Sequence, residues 1–197
     1  MRAGLLYSAG KDSTLAALLL EDFYDVTLVT ASFGVVDPDP AREAADALGF
    51  AHETVDLDPD VAGTAVERMH DDGYPRNGIQ RVHEHAVERL ASARGEFDAV
   101  ADGTRRDDRV PTIDRPFARS VEDRFGVDYL APLAGIGRGA IDEMVAEKLV
   151  VETGPSEAIA KADYEVELRA LLAEAHGAGA VGDVFPDHTQ SRVRGRR

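Results

Sequence analysis

Seven consecutive residues, Ser8-Ala9-Gly10-Lys11-Asp12-Ser13-Thr14, bring three hydroxyls, a lysine, a glycine and a carboxylate together between an apolar stretch and a helical one. At a strand-to-helix turn, successive backbone N–H groups and the helix dipole favour an anion. This composition therefore describes a phosphate cradle. Gly10 lets the backbone approach, Lys11 adds a mobile positive charge, and the Ser8, Ser13 and Thr14 hydroxyls can donate hydrogen bonds. Asp12 is negative among phosphate ligands, which makes sense with a magnesium ion between its carboxylate and the phosphate oxygens. A Walker A loop would need Ser or Thr after Gly10-Lys11 and a glycine at position 5, where the chain has Asp12 and Leu5.

Ser-Gly-Gly-x-Asp-Ser after an N-terminal strand is the signature of the PP-loop (N-type ATP pyrophosphatase, adenine nucleotide alpha hydrolase-like) superfamily. The sequence resembles that family through Ser8, Gly10, Asp12 and Ser13, with Ala9 in place of the first glycine. Its members include GMP, NAD and asparagine synthetases, tRNA thiolation enzymes and the diphthamide amidation enzyme. The resemblance implies an α/β fold, a Rossmann-like (HUP-type) five-stranded parallel sheet with helices on both faces. It also implies an enzyme that cuts ATP to AMP and pyrophosphate, adenylating a substrate oxygen that a nitrogen or sulfur nucleophile then displaces. ATP and Mg2+ are the implied cofactors, with Ser8, Ala9, Gly10, Lys11, Asp12, Ser13 and Thr14 holding the phosphates.

In this superfamily the second strand ends near the adenine, which would bring Thr30, Ala31, Ser32 and Phe33 to the base; an ordinary strand end with Phe33 in the core explains them equally well. The segment Asp102 to Arg109 looks like the corresponding loop of the GMP and NAD synthetases. By that likeness Gly103 and Thr104 contact phosphates, Asp107 or Asp108 joins Asp12 at magnesium, and Arg105, Arg106 or Arg109 takes pyrophosphate or substrate. Lys11, Asp12 and Arg106 are the catalytic candidates.

Positioning these residues falls to alternating strands and helices. Arg2 to Tyr7, Val26 to Ala31, Glu53 to Leu57, Phe97 to Ala101 and Asp128 to Leu130 read as strands. Helices are expected from Asp12, from Asp39-Pro40, from Asp58-Pro59, near Asn77 and through the Phe117, Val121, Phe125 stripe. Such alternation means a parallel sheet covered on both faces, with ligands beyond the carboxyl ends of its strands where strand order switches. The expected division is an ATP-binding domain over 1–135, a helical extension over 136–187 and an irregular basic tail over 188–197. Gly154-Pro155-Ser156 would cap a helix, and another would begin at Asp163-Tyr164-Glu165. Asn77, Gly78 and Arg81 could reach the mouth of the site. His83 and His85, two apart on a helix, point to different faces and make no metal pair.

The net charge is -15, with three lysines (Lys11, Lys148 and Lys161) beside 19 arginines and 22 aspartates. Uniform acidity with lysine depleted suggests a cytoplasm of very high salt. The last residues reverse the trend, carrying Arg192, Arg194, Arg196 and Arg197 without an acid, so a tail touching RNA phosphates or the acidic body is expected. With no cysteine, the chain excludes disulfides, Cys-ligated metal and self-carried persulfide. No stretch reaches the roughly 18 to 20 apolar residues of a membrane span, and a cytoplasmic location is expected. The acceptor would be a tRNA or a small metabolite, a partner protein would deliver sulfur or ammonia, and a homodimer is compatible with so small an appendix. Two alternatives are an ATP-binding regulator of universal-stress-protein type and an RNA-binding accessory subunit.

Overall fold

Ala3, Leu5 and Leu6 of the first strand are all buried, which a strand can achieve only when both faces of its sheet are covered. In the computed structural model, which describes residues 1–93, 95–155, 159–186 and 189–197, that strand is β1 (Arg2–Leu6) at the centre of a five-stranded parallel sheet. The others are β2 (Asp25–Ser32), β3 (Ala51–Asp56), β4 (Ala99–Ala101) and β5 (Asp128–Leu130), in the order β3-β2-β1-β4-β5. The fold is α/β and Rossmann-like.

Alternation along β1 divides the core. Leu5 faces the layer of α1 (Lys11–Leu20), α2 (Asp39–Leu48) and α6 (Arg138–Lys148), whose Leu15, Leu48 and Ile141 are buried with it. Leu6 faces α3 (Pro59–Asp72), α4 (Arg76–Ala91), α5 (Arg115–Phe125), α7 (Tyr164–His176) and α8 (Ala178–Val184), through Met69, Leu90, Val121, Leu172 and Val184. Local chemistry sets the helix starts: Asp58 accepts from the Asp60 amide at 2.9 Å with Pro59 behind it, and Asp114 accepts from the Phe117 amide at 2.8 Å before Pro116. At α2 the N-cap is Pro38, without a side-chain cap, and Asp39 is the first helical residue, its amide donating to Asp37 Oδ1 at 3.0 Å.

The C-terminal region departs from a helical extension with an irregular tail. α6 runs directly into β6 (Leu149–Pro155), and β7 (Thr189–Arg196) returns antiparallel to it. Val193 is fully buried, and the arginines bind the protein itself: Arg192 pairs with Glu43 at 2.7 Å, Arg196 with Glu21 at 2.7 Å, Arg194 with Glu152, and Arg197 Nε donates to the Leu149 carbonyl at 2.9 Å. A strand dominated by arginine forms because its acceptors come from β6, α1 and α2, none of them near in sequence. Gly154 and Pro155 lie in β6 and cap no helix, while Ser156 and His188 lie outside the described residues. Among the described residues no helix is long and apolar enough to cross a membrane.

Candidate functional site

The chain leaves β1 at Tyr7 and enters α1 through a turn in which Ala9 takes φ 59, the left-handed region that glycine occupies most readily. The superfamily signature carries glycine there. Gly10 has an ordinary φ of -78; its own constraint is steric, because a Cβ would stand 3.1 Å from Ser8 Oγ. The hydroxyls knit the turn together: Thr14 Oγ1 donates to the Gly10 carbonyl at 2.8 Å, Ser13 Oγ donates to it at 3.2 Å, and the Ser8 and Ser13 hydroxyls lie 3.3 Å apart. The first N–H groups of α1 have no acceptor within the helix, and the dipole makes this end positive.

Against this turn lies the chain leaving β4. A Cβ on Gly103 would fall 2.7 Å from both the N and the Cα of Ser13, so only glycine lets the two loops touch. Strands β1 and β4 are neighbours, while β1 leads on to β2 at its other side; their carboxyl ends therefore flank the switch in strand order. A pocket of about 220 Å³ opens there, lined by Ser8, Asp12 and Ser13 from the first loop, Asp102, Gly103 and Thr104 from the second, and Asp163 and Tyr164 from the start of α7.

Charges at the rim are paired. Lys11 Nζ lies 2.7 Å from Asp12, and Arg105 joins the three carboxylates read as magnesium ligands, at 3.5 Å from Asp12, 3.8 Å from Asp107 and 2.7 Å from Asp108. Burial works against the Arg105 charge, but these carboxylates outweigh it and raise its pKa. Among the described residues no three His, Cys, Asp or Glu side chains are grouped to hold a metal by themselves. Lys161 is half-buried and pairs with Asp163 at 2.8 Å; burial disfavours its charge, yet Asp163, Glu165 and Asp12 hold its pKa above the ordinary lysine value. Burial pushes the Tyr7 phenol up to about 12, although the Thr14 hydrogen bond pulls the other way.

Beneath the rim is a buried polar chain. Asp102 is 1% exposed and accepts from the Thr104 amide at 2.9 Å and hydroxyl at 2.6 Å, from Tyr129 at 2.7 Å and from His83 Nε2 at 2.9 Å. Burial alone would raise its pKa, but the His83 and Thr104 hydrogen bonds hold it below the usual carboxylate value. His83 Nδ1 in turn lies 2.9 Å from the Tyr164 hydroxyl. Burial and Asp102 together push Tyr129 upward, and burial with Asp163, Asp102 and Glu165 does the same to Tyr164.

The structure thus brings Ser8, Asp12, Ser13, Gly103, Thr104 and Asp108 to one pocket. Lys11 stands beside it on Asp12, whereas Arg106 is exposed and directed toward Gly137 at the start of α6. The residues read as adenine contacts are engaged elsewhere. Thr30 Oγ1 meets the Tyr7 carbonyl at 3.2 Å and His52 at 2.9 Å. Ser32 Oγ donates to buried Glu167 at 2.8 Å, and the Phe33 amide does so at 2.7 Å. Of that strand end Ala31 lines the pocket. Asn77 binds Asp72 at 2.7 Å, and Gly78 admits Met69 between α3 and α4, a Cβ there meeting its Cε at 2.5 Å. His83, Tyr164 and Glu167 are not legible as site residues in the sequence, and Asp102 is legible only as the first residue of its loop. A histidine spaced four residues from Ile79 on the inward face of α4 was the available signal for the first.

A family model described as a family of unknown function, DUF7411, matches residues 1–195. An uncharacterised protein of Methanocaldococcus jannaschii is 36% identical over 197 residues, covering 99% of this chain and 96% of that protein. The crystal structure of a predicted subunit of tRNA methyltransferase from Methanocaldococcus jannaschii matches with a TM-score of 0.88 and 36% identity, over 100% of this chain and 98% of that one. The U34-tRNA thiolase of Methanococcus maripaludis, solved with its 4Fe-4S cluster, matches at a TM-score of 0.43 and 16% identity, over 93% of this chain and 70% of that one.

Proposed function

This chain belongs to the DUF7411 family, whose function is unknown, and from its site we propose an ATP-dependent adenylating enzyme of the PP-loop superfamily, acting in tRNA modification. The observation that carries the reading is the contact of Gly103 with Ser13 beside left-handed Ala9, at the switch in strand order. It leaves backbone, not side chain, facing the place where phosphates would lie. Ser8, Gly10, Ser13, Gly103 and Thr104 would bind ATP phosphates, Lys11 would neutralise them, and Ala31 would stand nearest the adenosine. Asp12 and Asp108 would hold magnesium, with phosphate oxygens and water completing its ligands. The ion would supply charge neutralisation on the departing pyrophosphate. Arg105 would then move from the carboxylates toward phosphate, and Arg106 would take the pyrophosphate or the acceptor.

The choice of tRNA as acceptor draws on the relative described as a predicted subunit of tRNA methyltransferase, which matches nearly end to end. A second reading, an accessory subunit of a tRNA-modifying assembly, has the same support. The self-paired arginines of β7 argue against that strand as an RNA-binding arm. Lacking cysteine, the chain would depend on a partner for sulfur, or on ammonia.

The test is incubation with α-labelled ATP, magnesium and molar potassium chloride, the salt suited to so acidic a chain, together with fractionated tRNA and small metabolites. Labelled AMP appearing with one fraction, and lost in Lys11→Ala and Asp12→Ala, supports adenylation. Labelled ADP, or tight binding with ATP unchanged, sinks it in favour of a nucleotide-binding regulator or subunit.

A further inference from the structure

Asp102 already receives three hydrogen bonds within its own neighbourhood, two from Thr104 and one from Tyr129. Those suffice to anchor the end of β4. The chain nevertheless continues through His83 to Tyr164 and stops at a hydroxyl on the pocket wall. Hydrogen-bond logic fixes its polarity. An ionised Asp102 accepts only, so His83 Nε2 carries the hydrogen; Nδ1 is then bare and accepts from the Tyr164 hydroxyl. Tyr164 belongs to the wall of a cavity whose described lining contains five acidic side chains, Asp12, Asp102, Asp108, Asp163 and Glu165, and neither lysine nor arginine.

We propose that Tyr164 is a catalytic residue, accepting the proton released when the acceptor attacks the α-phosphorus of ATP, with His83 and Asp102 as positioning residues that draw the proton inward. The proposal rests on the adenylation reading. As the bond between acceptor oxygen and α-phosphorus forms, the bond from that phosphorus to the bridging oxygen breaks, and pyrophosphate leaves with the electron pair. The acceptor's proton passes to the Tyr164 oxygen while the Tyr164 proton moves to His83 Nδ1. The resulting imidazolium faces Asp102 at 2.9 Å. Tyr164 need never stand as a free phenolate, which suits a phenol whose ionisation burial, Asp163, Asp102 and Glu165 all oppose. The acceptor class follows: a neutral, proton-bearing group is served by this chain of residues. A carboxylate brings no proton for it to take.

The experiment compares the wild type, Tyr164→Phe and His83→Gln, using α-labelled Mg·ATP with the tRNA and metabolite fractions for turnover, and the α,β-methylene analogue of ATP for binding. Positioned proton transfer contributes roughly a hundredfold or more, so both variants should form AMP about a hundredfold more slowly while binding the analogue within threefold of the wild type. In a third variant, His83→Ala, added imidazole should restore part of the lost rate, and in Tyr164→Phe none. A Tyr164→Phe protein that binds the analogue and forms AMP at the wild-type rate overturns the relay and leaves adenylation standing. A wild type that forms no AMP with any fraction overturns both. Should His83→Gln fail to fold, the Tyr164→Phe comparison decides alone, because phenylalanine keeps the ring and removes only the oxygen.

Discussion

Ser191 Oγ accepts the backbone N–H of Lys11 at 3.3 Å, across 180 residues of sequence. Two residues further on, the Val193 amide donates to the Ala9 carbonyl at 2.9 Å. The strand read from sequence as an irregular basic tail is therefore a wall of the turn between β1 and α1, and its hydroxyl occupies the first amide of α1. Replacing Ser191 with Val should shift nucleotide affinity without unfolding the protein, whereas removing residues 189–197 exposes Leu149 and Val151 and should cost more than about 3 kcal/mol. Chemical denaturation beside nucleotide titration separates the two effects; equal behaviour of both variants would refute a local role for the hydroxyl.

Gly103→Ala sets a Cβ against backbone atoms of Ser13 that have no rotamer to yield. The loops must part. Overpacking of this kind costs about 1–3 kcal/mol, and separating the loops should weaken Mg·ATP binding at least tenfold. Calorimetric titration of the folded variant provides the check, and unchanged affinity would remove the loop contact from the site.

Glu167 holds the turn after β2 with one carboxylate, accepting from Ser32 Oγ, from the Phe33 amide at 2.7 Å and from the Val35 amide at 2.9 Å. Glu167→Gln turns one acceptor atom into a donor facing donors, at a cost of about 1–3 kcal/mol. Faster hydrogen exchange at residues 33–36 should accompany it, while exchange in β4 stays as it was.

Asp102 gives stability a pH dependence of known sign. Its folded-state pKa lies below the ordinary 3.8, so the stability it confers is fully present above that value and is lost as pH falls through the folded value. Asp102→Asn should destabilise by about 3–5 kcal/mol at neutral pH. Below about pH 4 the gap between variant and wild type should narrow. Urea unfolding at a series of pH values measures it, and a gap that widens in acid would contradict the assignment.

The sheet was legible because its signals are local. Ala3 to Leu6 is an apolar run bounded by the polar turn Ser8 to Lys11, and Asp58-Pro59 marks the start of α3 through a side chain and ring within two residues. The signature loop was legible for the same reason. What escaped depends on partners far along the chain: β7 exists through contacts to β6, α1 and α2, and His83 acquires meaning only when β4 supplies Asp102 and α7 supplies Tyr164. At the end of β2, Glu167 takes the Ser32 hydroxyl and the Phe33 amide. Nothing near Ser32 in sequence announces that carboxylate.

The hydrogen bonds from residues 191 and 193 to the turn at residues 9–11 also impose an order in time. Ribosomes add about 5–20 residues per second, so the turn waits roughly 10–40 s for a partner that lies 180 residues further along the chain. A polypeptide halted before β7 emerges holds the whole turn between β1 and α1 without the bonds that Ser191 and Val193 make to it. The geometry of that turn is thus completed by a segment made long after it, and not by the residues beside it.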